Sequence, residues 1–286
     1  MNKHISIVFF FLLGIFSIAQ AQEPTARFQQ IQQTFKNTGS PVIMIAAHRG
    51  AHLEDPENSI AAFRRTIEIG VDIIELDVRC TKDGVLIVMH DKSVDRTTNG
   101  KGLIKDLTFE EIRQLRLKQK DQLTEEKVPT LEEALLFTKG KIMIDLDIKT
   151  EECVDAIMET VNKTGTADQC LFFVGEAKHA KMIKEKNPAF MTLLRTHSAK
   201  EAVKAFKTVK SEAIHIDETH NTAEVISGIK ANGARVWHNA LGDVDREVAA
   251  GNAEAFEKAI VTGANIIQTD YPALLKKFLE SRKLYY

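Results

Sequence analysis

The chain has 286 residues, with 38 basic and 40 acidic side chains and a formal net charge of −2. That balance, without any run of about five or more like charges, excludes the electrostatic footprint of a nucleic-acid binder. Three cysteines lacking CxxC spacing argue against a disulfide framework; at most one bridge could form, and all three read as semi-buried thiols, not metal ligands.

Residues 1–21 read as an export signal. Lys3 and His4 give a basic start, Ile5–Ile18 is apolar, and Ala19-Gln20-Ala21 is a small-x-small cleavage site. The apolar run falls short of the ~20 residues that span a bilayer. The mature chain is therefore expected to be periplasmic or secreted, with no stable membrane span. Gln22–Ser40 reads as a leading helix or an ordered tail. Pro41 opens PVIMIAAHRG, apolar on both faces and so suited to a parallel strand covered by helices. Asn58 or Ser59 can cap the helix IAAFRRTIEI, which Gly70 closes. Residues 91–140 form the longest connection, with a helix capped by Thr108 and Glu111 and a second introduced by Pro129-Thr130. From KIMIDLDIKT onward, strand and helix alternate regularly.

Strands are expected to begin near residues 42, 72, 142, 170, 190, 213, 234 and 264. Regular alternation implies parallel strands, and eight units over residues 41–286 suggest one (β/α)8 TIM barrel domain. An open doubly wound sheet is the alternative. The run 85–90 is surplus to the eight and reads as the return strand of a hairpin flap after strand 2.

That hairpin, Ile73–Asp91, gathers chemistry. Alternation puts Glu75 and Asp77 on one face. With Asp83-Gly84 as a two-residue turn, His90 falls opposite Asp77, and a shift of one residue moves it towards Glu75. Two acids in an otherwise apolar strand are costly unless they are paired or bind a cation. Other polar residues also gather at strand ends: His48-Arg49, Asp147 and Lys149, Asn239, and Asp270.

HRG at 48–50, PENS at 56–59, IELDV at 74–78, HD at 90–91, DRTTNGKG at 95–102, PTLEEAL at 129–135, DIK at 147–149, VWHN at 236–239 and TDYP at 269–272 resemble, as an ordered set, the glycerophosphodiester phosphodiesterase family. The likeness runs from about residue 42 to 275. It implies a barrel, a divalent cation, and hydrolysis of a small-molecule glycerophosphodiester to glycerol 3-phosphate and an alcohol. Carried over by motif, His48 and His90 become the general acid/base pair and Glu75 and Asp77 metal ligands. The family's usual Glu-x-Lys is Asp147-Ile148-Lys149 here, making Asp147 the third ligand, one methylene shorter, and Lys149 a phosphate contact. The usual Trp-Thr-x-Asn is Trp237-His238-Asn239.

Elementary chemistry agrees. Carboxylate ligands point to Mg²⁺ or Ca²⁺ over zinc, and Arg49 offers a fork to phosphate oxygens. Histidine is the side chain best poised for proton transfer near neutral pH. Attack by water or by the neighbouring glycerol hydroxyl is equally open, as is which histidine is the base. Trp237 either lines the glycerol pocket or packs the barrel. Asp145 reads as a buried ion-pair partner, Glu57 and Asn58 as braces for the first loop, and His52 as exposed. Asp270 reads as closing the last strand, and His179, His197, His215 and His220 as structural or solvent-facing. A phosphodiesterase or cyclising lyase acting on inositol phosphodiesters or phospholipids is the nearest alternative, and a non-catalytic phosphodiester binder the alternative of another class.

Overall fold

The computed structural model describes residues 23–286; the expected export signal lies outside the described residues. Helix α1 (Ala26–Lys36) begins at Thr25, whose hydroxyl accepts the Phe28 N–H. Strand β1 (Met44–Ala47) leads to α2 (Ile60–Ile69), capped by the Ser59 hydroxyl and closed by Gly70 in the left-handed region. Then come β2 (Ile73–Cys80) and β3 (Leu86–Val88). The long connection holds α3 (Phe109–Arg113), a small ribbon of β4 (Lys118–Gln119) and β5 (Gln122–Leu123), and α4 (Leu131–Thr138). Thr108 with Glu111 and Thr130 with Glu133 form reciprocal caps, as S/T-x-x-E spacing dictates.

Strands β6 (Met143–Ile148), β7 (Cys170–Val174), β8 (Met191–Arg195) and β9 (Ala213–His215) alternate with α5 (Val154–Thr164), α6 (Ala177–Lys186) and α7 (Ala199–Thr208). Helix α8 (Ala223–Ala231) and β10 (Arg235–Asn239) follow. Helices α9 (Asp243–Ala249) and α10 (Glu257–Ile260), β11 (Ile266–Thr269) and α11 (Pro272–Ser281) complete the chain. The parallel ring runs β1, β2, β6, β7, β8, β9, β10, β11 and closes through β11 against β1. It is the expected (β/α)8 barrel, with β3 lying antiparallel on β2 as the flap.

Alternation sends one set of side chains outward to the helices and the other into the barrel. The lower interior is apolar: Met44, Ile73, Met143, Leu171, Leu193 and Ile266 pack with Phe28, Ile31 and Phe35 of α1, which plugs the bottom. Arg235, fully buried at the foot of β10, donates to the Phe35 and Asn37 carbonyls and so caps the end of α1. One end of the barrel is thus sealed, and the polar ends of the strands are left at the other.

Two expectations are corrected. The hairpin pairs Val78 with Val88 and Arg79 with Ile87, so Met89, not His90, faces Asp77, and the Met89 N–H donates to the Asp77 carbonyl. The turn is longer than two residues: the Thr81 N–H donates to the Val85 carbonyl and closes a loop of Lys82, Asp83 and Gly84, with Gly84 at a positive φ of 80°. Cysteines 80 and 153 are not thiols but a disulfide, with Cα atoms 6.5 Å apart. Because β2 pairs with β6, the end of β2 and the turn after β6 are neighbours although 73 residues separate the two cysteines. Cys170 remains a thiol, buried and pushed up to about 12. Chain-entropy reasoning gives the bridge about 4 kcal/mol. Reductant is therefore expected to lower the urea midpoint markedly; superimposable unfolding curves would contradict this.

Candidate active site

The site follows from the register of two strands. Along β2 the inward positions are Ile73, Glu75 and Asp77, and along β6 Met143, Asp145 and Asp147; Glu75 lies beside Asp145 and Asp77 beside Asp147. Both strands thus change from apolar to acidic at the same height. Four carboxyl groups result, all but Asp147 buried. One oxygen each from Glu75, Asp77 and Asp147 lies within 4.8 Å of the others. Three oxygen donors this close are what a hard divalent cation takes.

The electrostatics fit such an ion. Burial pushes Glu75 well above the carboxylate range, and the charges of Asp77, Asp147 and Asp145 add to it, opposed by the Arg49 N–H at 2.8 Å. Burial also raises Asp147. Burial opposes the Asp77 charge too, but Lys149, Arg49 and the Asn58 amide, 2.7 Å away, outweigh it and hold that carboxyl below its usual range. The Lys149 ammonium stands 2.5 Å from Asp147 Oδ2 and 3.0 Å from Asp77 Oδ1, so a cation already supports part of the acid group. Asp145 forms no ion pair among the described residues, contrary to expectation. Its Oδ1 is buried without a hydrogen-bond partner, and burial and the Asp147 charge push its carboxyl well up.

His48 and Arg49 sit in the turn after β1. Arg49 adopts a φ of 52° and Gly50 of 77°, which aims the Arg49 N–H at Glu75. A Cβ on Gly50 would stand 3.0 Å from both Ala62 and Phe63, so the turn needs glycine there. The Arg49 guanidinium is held by Glu57 at 3.0 Å, with Nε 3.5 Å from Asp77. The bracing expected of Glu57 and Asn58 is therefore seen, and Asn58 also reaches the acid group itself.

Each of the two histidines is gripped at Nδ1 by an aspartate. His48 Nδ1 lies 2.7 Å from Asp270 and His90 Nδ1 2.8 Å from Asp91. Among the described residues, Nε2 is the nitrogen left without a hydrogen-bond partner on each ring. Asp91 is in turn bound by Arg96, and Arg96 by Glu57, so one ionic chain joins the flap to the Arg49 loop. Arg96 and His90 hold the Asp91 carboxyl far below its usual range. Asp270 thus does more than close the strand. His52 is not exposed: its Nδ1 lies 2.8 Å from the His48 carbonyl, and Nε2 stands 3.7 Å from Asp270.

His48, Glu75, Asp145 and Asp147 line a small pocket of about 100 Å³ together with Trp237 and His215. Trp237 packs the barrel and also lines this pocket. It is 1% exposed, packs with the lower interior, and donates from Nε1 to Asn239 and Gln268. His90 faces the group from the flap side, where its charge favours ionised Asp77 and Asp147.

Of the two readings of His215, structural or solvent-facing, the first holds: it is buried against Phe173 in this pocket. Burial brings its imidazole down to about 4 from an ordinary 6.5. The unfolded chain binds that proton first, so this contribution is full above pH 6.5 and is lost as pH falls towards 4, by about 3 kcal/mol. His215→Asn is expected to flatten the stability–pH curve from urea titrations in that window; an unchanged slope would contradict the burial argument.

The profile of the glycerophosphoryl diester phosphodiesterase family matches residues 48–239, a span holding every residue of the acid group and both histidines. The glycerophosphodiester phosphodiesterase of Caldanaerobacter subterraneus subsp. tengcongensis is 31% identical over 241 residues, covering 81% of this chain and 96% of that one. That of Bacillus altitudinis is 30% identical over 256 residues, covering 84% and 99%. The crystal structure of a glycerophosphoryl diester phosphodiesterase from Parabacteroides distasonis superposes with a TM-score of 0.80 at 26% identity, over 91% of this chain and 93% of that one.

Proposed function

The chain belongs to the glycerophosphoryl diester phosphodiesterase family, and from that premise we propose that it hydrolyses glycerophosphodiesters to glycerol 3-phosphate and an alcohol with a divalent cation and two catalytic histidines. The observation that carries this reading is the convergence of three carboxylates and two aspartate-held imidazoles at the open end of the barrel.

Glu75, Asp77 and Asp147 are the residues that would hold the cation. Mg²⁺ or Ca²⁺ bound there supplies positive charge to the phosphate oxygens as negative charge builds on them. Lys149 adds a compact charge beside the same oxygens, and Arg49, tied to Glu57, lends its guanidinium edge. Trp237 and Asn239 wall the pocket that takes the glycerol moiety. One imidazole accepts the proton of the attacking hydroxyl at Nε2 as its oxygen bonds to phosphorus. The other donates a proton from Nε2 to the departing alcohol oxygen as the old P–O bond breaks. Asp270 and Asp91 hold the rings by Nδ1 and stabilise each imidazolium as it forms, which makes them positioning residues.

Export of the mature enzyme to the periplasm or medium is part of the proposal. The reading of residues 1–21 supports it, and a Cys80–Cys153 bridge suits an oxidising compartment. No helix among the described residues is long and apolar enough to cross a membrane. The test is a panel of glycerophosphodiesters assayed for glycerol 3-phosphate with Mg²⁺ and with Ca²⁺. Release of glycerol 3-phosphate is the expected result; accumulation of a stable cyclic phosphate would instead identify a cyclising lyase.

A further inference from the structure

A second cleft, of about 580 Å³, opens beside the acid group. Four cations line it, Arg79, Lys92, Lys105 and Lys149, against the two acids Glu151 and Glu152. Lys149 is the same side chain that touches Asp77 and Asp147. Arg79 donates from Nε to the His90 carbonyl at 2.7 Å. The cleft therefore adjoins the proposed reacting centre on the His90 side, apart from the small pocket that His48 lines.

Its walls are built. Lys92 and Lys105 come from the connection after β3, held next to each other because Ile104 is buried and its N–H donates to the Lys92 carbonyl at 2.9 Å. The facing wall is the end of β2 and the turn at 150–152, fastened by the Cys80–Cys153 bridge. Among the described residues, Arg79, Lys92 and Lys105 form no ion pair within 4.0 Å, and Arg79 uses only Nε in a hydrogen bond. Glu151 and Glu152 offset two of the four cations, and Arg79 lies in the field of Asp77, Asp91 and Asp147; Lys92 and Lys105 carry the positive charge left over, which an anion in the cleft would balance. No aromatic side chain lines the cleft, so it lacks the ring faces that recognise a quaternary ammonium.

Resting on the reading of the chain as a glycerophosphodiester hydrolase, we propose that this cleft receives the alcohol side of the diester and selects alcohols that carry a further anionic group, a phosphate monoester above all. A phosphate monoester brings up to two negative charges and three acceptor oxygens, suited to one guanidinium fork and two ammonium groups. The glycerol side stays in the small pocket lined by Trp237, and the susceptible P–O bond lies between the two.

The test compares glycerophosphoinositol 4-phosphate, glycerophosphoinositol and glycerophosphocholine at low ionic strength, with wild type and with the double variant Lys92→Glu, Lys105→Glu. Wild type is expected to favour the phosphorylated substrate over glycerophosphoinositol by about tenfold or more in kcat/KM, choline last, with the preference shrinking in salt. The double variant should lose that preference, its kcat/KM for the phosphorylated substrate falling to or below that for glycerophosphoinositol. Calorimetry with inositol 4-phosphate reads the cleft without turnover and should show binding weakened about tenfold or more in the variant. Equal rates on both inositol substrates, or undiminished inositol phosphate binding by the variant, would overturn the proposal. Sedimentation with phosphatidylserine vesicles alongside equal substrate rates would overturn it in favour of a membrane-docking face. If no diester is turned over, the hydrolase reading fails, and the calorimetry still decides the anion site.

Discussion

His48→Ala and His90→Ala are each expected to lower kcat by about 10²–10⁴-fold, the range for removing a positioned general acid or base. The loss should come without loss of fold. Both side chains sit at the barrel mouth, His48 17% and His90 36% exposed, and neither belongs to the apolar interior. Removing one partner of a pair that acts together should cost nearly as much as removing both. Asp270→Asn and Asp91→Asn should give smaller losses and shift the pH–rate profile, because an asparagine can still hold a ring but no longer stabilises its charged form. Near wild-type rates in either alanine variant, with the protein folded by circular dichroism, would remove these histidines from the mechanism.

Chelation is expected to lower activity on the order of 10³-fold, comparable to loss of a strong preorganised electrostatic stabiliser, and Mg²⁺ or Ca²⁺ to restore it. The reason lies in the strand register. Glu75, Asp77, Asp145 and Asp147 are forced together by the pairing of β2 with β6, and the one ammonium on them, Lys149, reaches only Asp77 and Asp147. A cation that relieves this crowding binds the folded state alone. Added at about a hundred times its dissociation constant, it should stabilise the protein by about 2.7 kcal/mol. Asp77→Asn should abolish that stabilisation as well as the activity. Thermal melts unaffected by either ion, together with full activity in chelator, would refute the cation's role.

Much of this was legible in the sequence because it is local. Period-two alternation put Glu75 with Asp77 and Asp147 with Lys149, and eight apolar runs separated by capped helices implied closure. What could not be read depends on contacts between distant segments. Asp270 looked like the end of a strand because its partner His48 is 222 residues away. Asp91 was visible beside His90, but nothing local says that it turns back onto that ring. The Cys80–Cys153 bridge needed the pairing of β2 with β6, and His215 needed the inward direction of a three-residue strand. The hairpin register slipped by one because Asp83-Gly84 fits two loop lengths, both with Gly84 at positive φ, and only the backbone of Asp83, which does not take the positive φ of a two-residue turn, distinguishes them. The plug formed by α1 was hidden in a polar stretch where Phe28, Ile31 and Phe35 recur at helical spacing.

The most direct test of the account is to locate the ion. Crystals soaked in Mn²⁺, measured at its absorption edge, should show an anomalous peak within about 2.0–2.6 Å of one oxygen each from Glu75, Asp77 and Asp147, and the peak should vanish in Asp77→Asn crystals. A peak elsewhere, or none at saturating Mn²⁺ in crystals that still turn over substrate, would contradict the claim that these three acids gather a catalytic cation at the mouth of the barrel.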